Sequence, residues 1–261
     1  MKEALQELYK YRELLYMITY RDIKVRYKQS VIGFLWAILM PTLIVLAGVV
    51  VRLGFAAVAG KHLETAEIVG VATKSVPWAF LVSSIRFSCN SLTGNNPLVT
   101  KIYFPKEVLP LAAVLGSLFD FLVAVGGLVV LLVVIRPGWS IEILWLPTLI
   151  LALVLLASGV GLMVSAASLF FRDVKYIVDV VVTFAIFFTP VFYDVKMFGE
   201  KGKWLLLNPV APILEGIAGC VTGQQCLDLS WFAYSFAFST LALVGGYLFF
   251  KHLEPAFAES I

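Results

Sequence analysis

Six runs of about twenty apolar residues divide this chain, and each is as long as a helix needs to be to cross a hydrocarbon core of about 30 Å at about 1.5 Å rise per residue. They lie at about 32–53, 68–88, 109–135, 143–170, 176–192 and 231–250. Lipid offers no hydrogen bonds to a backbone, so runs of this length cross it as helices that satisfy their own N–H and C=O groups. Hydrophobic residues make up 61% of the 261 positions and charged residues 14%, well outside the soluble globular range. The expected fold is an all-α polytopic membrane protein with six transmembrane helices. The fifth run is the shortest and meets a helix breaker at Thr189-Pro190.

Residues 1–29 read as an N-terminal amphipathic interfacial segment ahead of a six-span domain at 30–261. The first thirty residues carry seven Lys/Arg and four Asp/Glu, which excludes the compact apolar core of a secretory signal. Leu5, Leu8, Tyr11, Leu15 and Ile18 recur at helical spacing, with Glu3, Gln6, Lys10 and Glu13 on the opposing face. That pattern suits a helix lying in the headgroup plane, next to the basic cluster Arg21, Lys24, Arg26 and Lys28.

Positive charge sets the expected orientation, because Lys and Arg collect in short cytoplasmic segments. With the N-terminus inside, twelve of the 20 Lys/Arg are cytoplasmic and six external, while Lys74 and Arg86 fall within the second run. Both termini are therefore expected in the cytoplasm. On this topology the connection at about 91–107 is cytoplasmic, and a long external loop covers about 193–230. That loop holds two short apolar stretches, 204–207 and 213–217, separated by Asn208-Pro209 and Pro212. Short external helices before the last span are expected there, either capping an exit pathway or folding back on the bundle.

Catalytic chemistry is absent from the pattern. No P-loop spacing occurs, and the two histidines, His62 and His252, fall on opposite sides of the membrane, where they cannot share a metal. The chain is expected to bind no metal or cofactor of its own. Cys89 reads as a small buried apolar residue, and Cys220 and Cys226 share the external loop, where a disulfide is permitted but not demanded. Asp120 sits mid-way along the third run. A charge there costs about 2.5–3.5 kcal/mol on insertion scales, so Asp120 either bonds a neighbouring helix or lines an aqueous path. Lys74 and Arg86 are shallower, where both can snorkel. So few intramembrane charges argue against ion coupling. No internal repeat of the kind found in inverted-repeat carriers is present.

Two stretches carry a resemblance. Tyr20-Arg21-Asp22-Ile23-Lys24-Val25-Arg26-Tyr27-Lys28-Gln29-Ser30, continuing to Gly33, Trp36 and Pro41, resembles the opening motif of the membrane subunits of ABC polysaccharide exporters, the permeases for O antigen, capsule or teichoic acid. Asn95-Asn96-Pro97-Leu98-Val99-Thr100-Lys101-Ile102-Tyr103-Phe104-Pro105-Lys106-Glu107 is similar to that family's loop signature, with Lys106 where arginine is usual. Pro77-Trp78, Asp120, Phe171-Arg172-Asp173 and Asn208-Pro209 follow in the family's order.

The resemblance implies a homodimer of six-span subunits in the bacterial cytoplasmic (inner) membrane, paired with two copies of a separate ATP-binding subunit that carries ATP and magnesium. It also implies a lipid-linked polysaccharide as substrate, with no enzymatic role and no nucleic-acid partner for this chain. The loop becomes the ATPase-coupling element, with Asn95, Leu98, Lys101, Ile102, Tyr103, Phe104, Pro105 and Lys106 in contact or in orientation. Arg21, Asp22, Arg26 and Tyr27 become a second contact at the membrane edge. Phe34 and Trp36 in the first span, and Phe184, Phe187 and Phe188 in the fifth, become channel-lining candidates. Two other functions stay open at this point, a permease of a small-molecule ABC exporter and a non-transporting membrane scaffold.

Overall fold

The computed structural model describes residues 6, 9–28, 33–60, 62, 64–135, 141–223 and 228–257, and they contain helices and turns but no strand. In chain order the α-helices are α1 (Arg12–Tyr27), α2 (Trp36–Ala59), α3 (Thr65–Cys89), α4 (Asn96–Lys101), α5 (Val108–Ile135), α6 (Leu146–Phe170), α7 (Val174–Phe188), α8 (Val210–Thr222) and α9 (Leu229–Leu253). A 3-10 segment covers Val195–Leu207.

Five of these helices, four of them of 25 residues or more with their 3-10 extensions, are long and apolar enough to cross a membrane. The expected six-span count meets a shortfall in the fifth run. Its helix, α7, has only 15 residues, about 22 Å at the α-helical rise and less than a full crossing. Thr189 leaves the helix with extended backbone, and Pro190 withholds the N–H needed to continue it. The non-helical stretch that follows is tolerated at depth because protein groups, described below, satisfy it.

Burial ranks the spans by position. The best apolar stretch of α3 is 72% buried and that of α2 only 11%, so α3 is the axis of the bundle and α2 lies at its rim. Around α3 pack α5, α6 and α8, sharing a core that includes Val76, Phe80, Leu81, Phe121, Leu149, Leu153, Ile213 and Leu214. Helix α6 runs against α9 over the most extensive interface in the fold. The two backbones touch there because both sides are glycine: a methyl on Gly159 would collide with Ala242, and one on Gly246 with the Gly159 backbone. Small residues draw helices together in this way where no hydrophobic driving force separates protein from lipid. Serines add cross-ties at one end, Ser168 Oγ donating to the Cys89 carbonyl at 2.5 Å and Ser88 Oγ to that of Pro110 at 3.2 Å.

At that same end, hereafter the loop end, a second core gathers Ile18 of α1, Leu92, Val99 and Phe104 of the 90–107 connection, and Phe250 and Phe257 near the C-terminus. The apolar stripe of α1 is turned onto this core, with Tyr11, Leu14 and Leu15 packed beside Ile18. The stripe expected to enter the headgroup layer is thus used against protein, and Tyr9, Tyr16 and Tyr20 form the outward face. Leu5 and Leu8 lie outside the described residues. At the far end, α2 stops at Gly60 in the left-handed region (φ 63°), and a reciprocal Glu64–Glu67 capping box opens α3.

The described part of the long loop before the last span is structured, as its composition suggests. The Val195–Leu207 segment kinks at Gly199 (φ 54°), and α8 follows Asn208-Pro209 with most of its length buried against α3. Cys220 is fully buried in α8 and Cys89 buried in α3; the Cys220 pairing considered above involves Cys226, which lies outside the described residues.

Candidate functional site

The loop between α3 and α5 is built from the inside outwards. Leu92, fully buried, and Val99, at 2% exposed, fasten it to the loop-end core, and Pro97 starts α4, where a missing N–H costs nothing. Asn95 Nδ2 donates to the Ser91 carbonyl at 2.8 Å, while its Oδ1 accepts from Arg21 at 2.9 Å; Arg21 also pairs with Asp22 at 2.7 Å. Two groups chosen separately in the sequence, the N-terminal basic cluster and the loop, are joined through this hydrogen bond.

The loop's aromatic set splits in two. Tyr103 is 96% exposed, Ile102 and Lys101 are exposed and Leu98 is half-buried, but Phe104 and Pro105 are buried. The reading of Phe104 and Pro105 as outward contacts is therefore corrected. A phenylalanine in the second core with Val99 and Val108 holds the loop in place, and the exposed side of the loop carries Lys101, Ile102 and Tyr103. Lys106 is turned back towards the chain's own C-terminal segment, its ammonium 5.8 Å from the Phe257 ring.

Asp120 of α5 reaches α1. Its carboxylate forms an ion pair with Arg26 and accepts a hydrogen bond from the Tyr27 hydroxyl at 2.5 Å. The Arg26 guanidinium lies 3.8 Å from the centre of the Phe87 ring, a favourable cation–π distance. Burial first, and then the bond to Asp120, push the Tyr27 hydroxyl above its ordinary range. A cavity of about 320 Å³ opens beside this cluster, lined by Trp36, Phe80, Phe87, Ser83 and Ser117 among others. The partner that Asp120 requires is thus the N-terminal helix and not another span.

Of the channel-lining candidates, the Phe34 side chain lies outside the described residues. Trp36 is 37% exposed, and Phe184, Phe187 and Phe188 project from one end of α7 at 57–72% exposure. Helix α7 is tied to α3 by Arg86, which pairs with Asp179 at 3.0 Å and donates to Thr183 at 3.0 Å. Among the described residues, no ring pair joins Phe184, Phe187 or Phe188 to Trp36.

Sequence reasoning missed the largest polar feature of the far half. Lys74 does not snorkel: it is fully buried, and its ammonium donates to the Tyr193 carbonyl (2.7 Å), Asp194 (2.6 Å) and Glu215 (3.2 Å). Arg52 of α2, 2% exposed, pairs with Asp194 as well, with Glu67 at 3.7 Å. These bonds satisfy the Tyr193 carbonyl and the Asp194 carboxylate in the non-helical stretch after α7. Burial alone would raise the Asp194 carboxyl, but Lys74 and Arg52 outweigh it and hold Asp194 below the usual carboxylate range. Glu215 in the apolar stretch 213–217 was the available signal, a lone carboxylate that needs a cation on a neighbouring element.

A third cluster closes the base of the loop. Glu107 is fully buried and pairs with Lys251 of α9 at 3.0 Å; Lys251 also binds Glu254 at 2.9 Å, and Glu254 accepts from the Lys106 backbone N–H at 3.4 Å. Burial pushes the Glu107 carboxyl up against the opposing pull of Lys251.

The sequence model of the ABC-2 type transporter family matches residues 13–221. The O-antigen export system permease protein RfbA of Klebsiella pneumoniae is 28% identical over 249 residues, covering 95% of this chain and 94% of that protein. The protein of the same name from Myxococcus xanthus is 27% identical over 269 positions, covering the whole of both. A polytopic helical bundle with an exposed loop after its second span, matched over most of its length by one family, identifies this multi-pass membrane chain as a member of the ABC-2 type transporter family.

Proposed function

We propose that this chain is the permease subunit of an ATP-driven exporter that moves a lipid-linked polysaccharide, O antigen or a similar cell-surface glycan, outward across the bacterial cytoplasmic membrane. The observation that carries this reading is end-to-end similarity to O-antigen export permeases. The loop end then faces the cytoplasm, in keeping with the twelve-to-six distribution of Lys and Arg. α1, the 90–107 loop and residues 250–257 meet at that end.

In this mechanism two copies of a separate ATP-binding subunit dock on two permeases, each through Lys101, Ile102 and Tyr103, and ATP-driven closure of the partners displaces the loops. Arg21 and Asn95 pass part of that displacement to α1, whose Arg26 and Tyr27 hold Asp120 of α5. The thinly packed α2 and the exposed aromatic end of α7 supply the walls that two permeases bring together around the glycan. On the outer side, the Lys74–Asp194 cluster keeps the 193–207 stretch seated until the path opens.

Deleting the gene should abolish the surface glycan and leave its lipid-linked form on the cytoplasmic face. The wild-type gene should restore export, whereas a folded Ile102→Glu/Tyr103→Glu variant should not. Normal surface glycan in the deletion strain would rule the function out.

A further inference from the structure

Along the chain, the loop connects only to α3 and α5, yet its base is gripped by a sequence-remote element. Glu107, at the start of α5, has no exposed surface, and a buried carboxylate is expensive unless a cation answers it. That cation is Lys251 from the last turn of α9. Glu254, on the next turn, shares the Lys251 ammonium with Glu107 and accepts the Lys106 N–H. Phe257, also fully buried, inserts behind them with its ring 5.2 Å from Phe250 and 6.0 Å from Phe170. Residues 251–257 thus hold the C-terminal side of the loop by one ion pair, a backbone hydrogen bond and an aromatic plug.

Helix α9 does not move alone. Gly159 and Gly246 put its backbone against that of α6 with no side chain between them, and close-packed interiors transmit displacement with little compression. We propose that Lys251 is a positioning residue that couples the loop to α9, so that a push on the loop moves the α6–α9 pair as well as α3 and α5. The inference rests on the exporter reading and adds to it a second mechanical leg. It also gives the costly buried Glu107 a purpose, since an apolar side chain at that position would pack without holding α9.

The test uses the permease alone and in complex with its ATP-binding subunit in vesicles. In the isolated permease, Lys251→Met should speed amide hydrogen exchange across residues 103–110 relative to wild type; unchanged exchange overturns the bridge whatever the chain transports. In the complex, Lys251→Met should leave assembly and ATP hydrolysis near wild type and cut glycan moved per ATP by about tenfold, within the usual range of coupling energies. Lys251→Arg should restore most of that ratio. A wild-type ratio in Lys251→Met overturns the proposal, as does an equal loss of assembly, hydrolysis and export in both variants, which marks a purely structural role. A wild-type complex that hydrolyses ATP without moving glycan would sink the exporter reading itself.

Discussion

Replacing Lys74 by methionine should unseat the segment that follows α7. The ammonium is fully buried and has three acceptors on that side of the bundle, the Tyr193 carbonyl, Asp194 and Glu215. Methionine keeps most of the volume and removes the charge. Asp194 would retain Arg52, but Glu215, whose side chain is only 12% exposed, would be left without a cation. Removing one member of a buried pair costs about 3–5 kcal/mol because the survivor stays charged in a low dielectric. The remaining Arg52 and relief from burying the ammonium put the estimate at the lower end, about 3 kcal/mol, or roughly a hundredfold in the equilibrium for opening the segment. Hydrogen exchange over residues 193–207 in detergent reads that equilibrium directly. The Lys74→Met/Glu215→Gln double variant should recover at least half the loss, because it removes the orphan together with its partner. Exchange unchanged in Lys74→Met, or a double variant no better than the single, would refute the argument.

Other outcomes follow from the same geometry. Gly159→Leu should overpack the α6–α9 contact and cost about 1–3 kcal/mol or more, visible as a lower melting temperature in detergent, whereas Gly54→Ala, with open space around it, should melt like wild type. Phe104→Ala should destabilise the loop end by about 3–5 kcal/mol, while Tyr103→Ala, a change at a 96% exposed residue, should leave melting unchanged and impair export. The lowered pKa of Asp194 makes its stabilising share complete above the ordinary carboxylate value of about 3.9 and lost as pH falls through the lower folded-state value. Melting of Asp194→Asn should accordingly lie below wild type at pH 7, with the gap closing in strong acid; a gap that widens on acidification would contradict that sign.

The apolar runs made the spans legible, because about twenty residues in succession with at most two charges among them have few other uses. The loop signature was equally visible in Asn95 to Glu107, since prolines, aromatics and lysines between two spans have no place in lipid. Its inside and outside were not legible: Phe104 and Tyr103 are adjacent aromatics, and only the position of the second core, assembled from α1, α6 and α9, turns one inward and the other out. The end of the fifth span could be read from Thr189-Pro190, but not its consequence, a non-helical stretch held by Lys74 and Arg52. Neither cation has an acidic residue in its own apolar run; pairing them with Asp194 and Glu215 requires knowing that α8 folds back against α3. Asp120 posed the same problem, and its partners sit 93 and 94 residues away.

Purification of this chain with candidate ATP-binding subunits encoded near its gene, wild type against Lys101→Glu/Tyr103→Glu, bears most directly on a permease driven from outside through its exposed loop. Both substituted side chains point away from the bundle, so the variant should fold normally. A stable complex with wild type, weakened by about tenfold or more in the variant as expected for loss of a central interface contact, is the predicted result. A wild-type chain that purifies with no ATP-binding subunit, or a complex indifferent to the two substitutions, would contradict it.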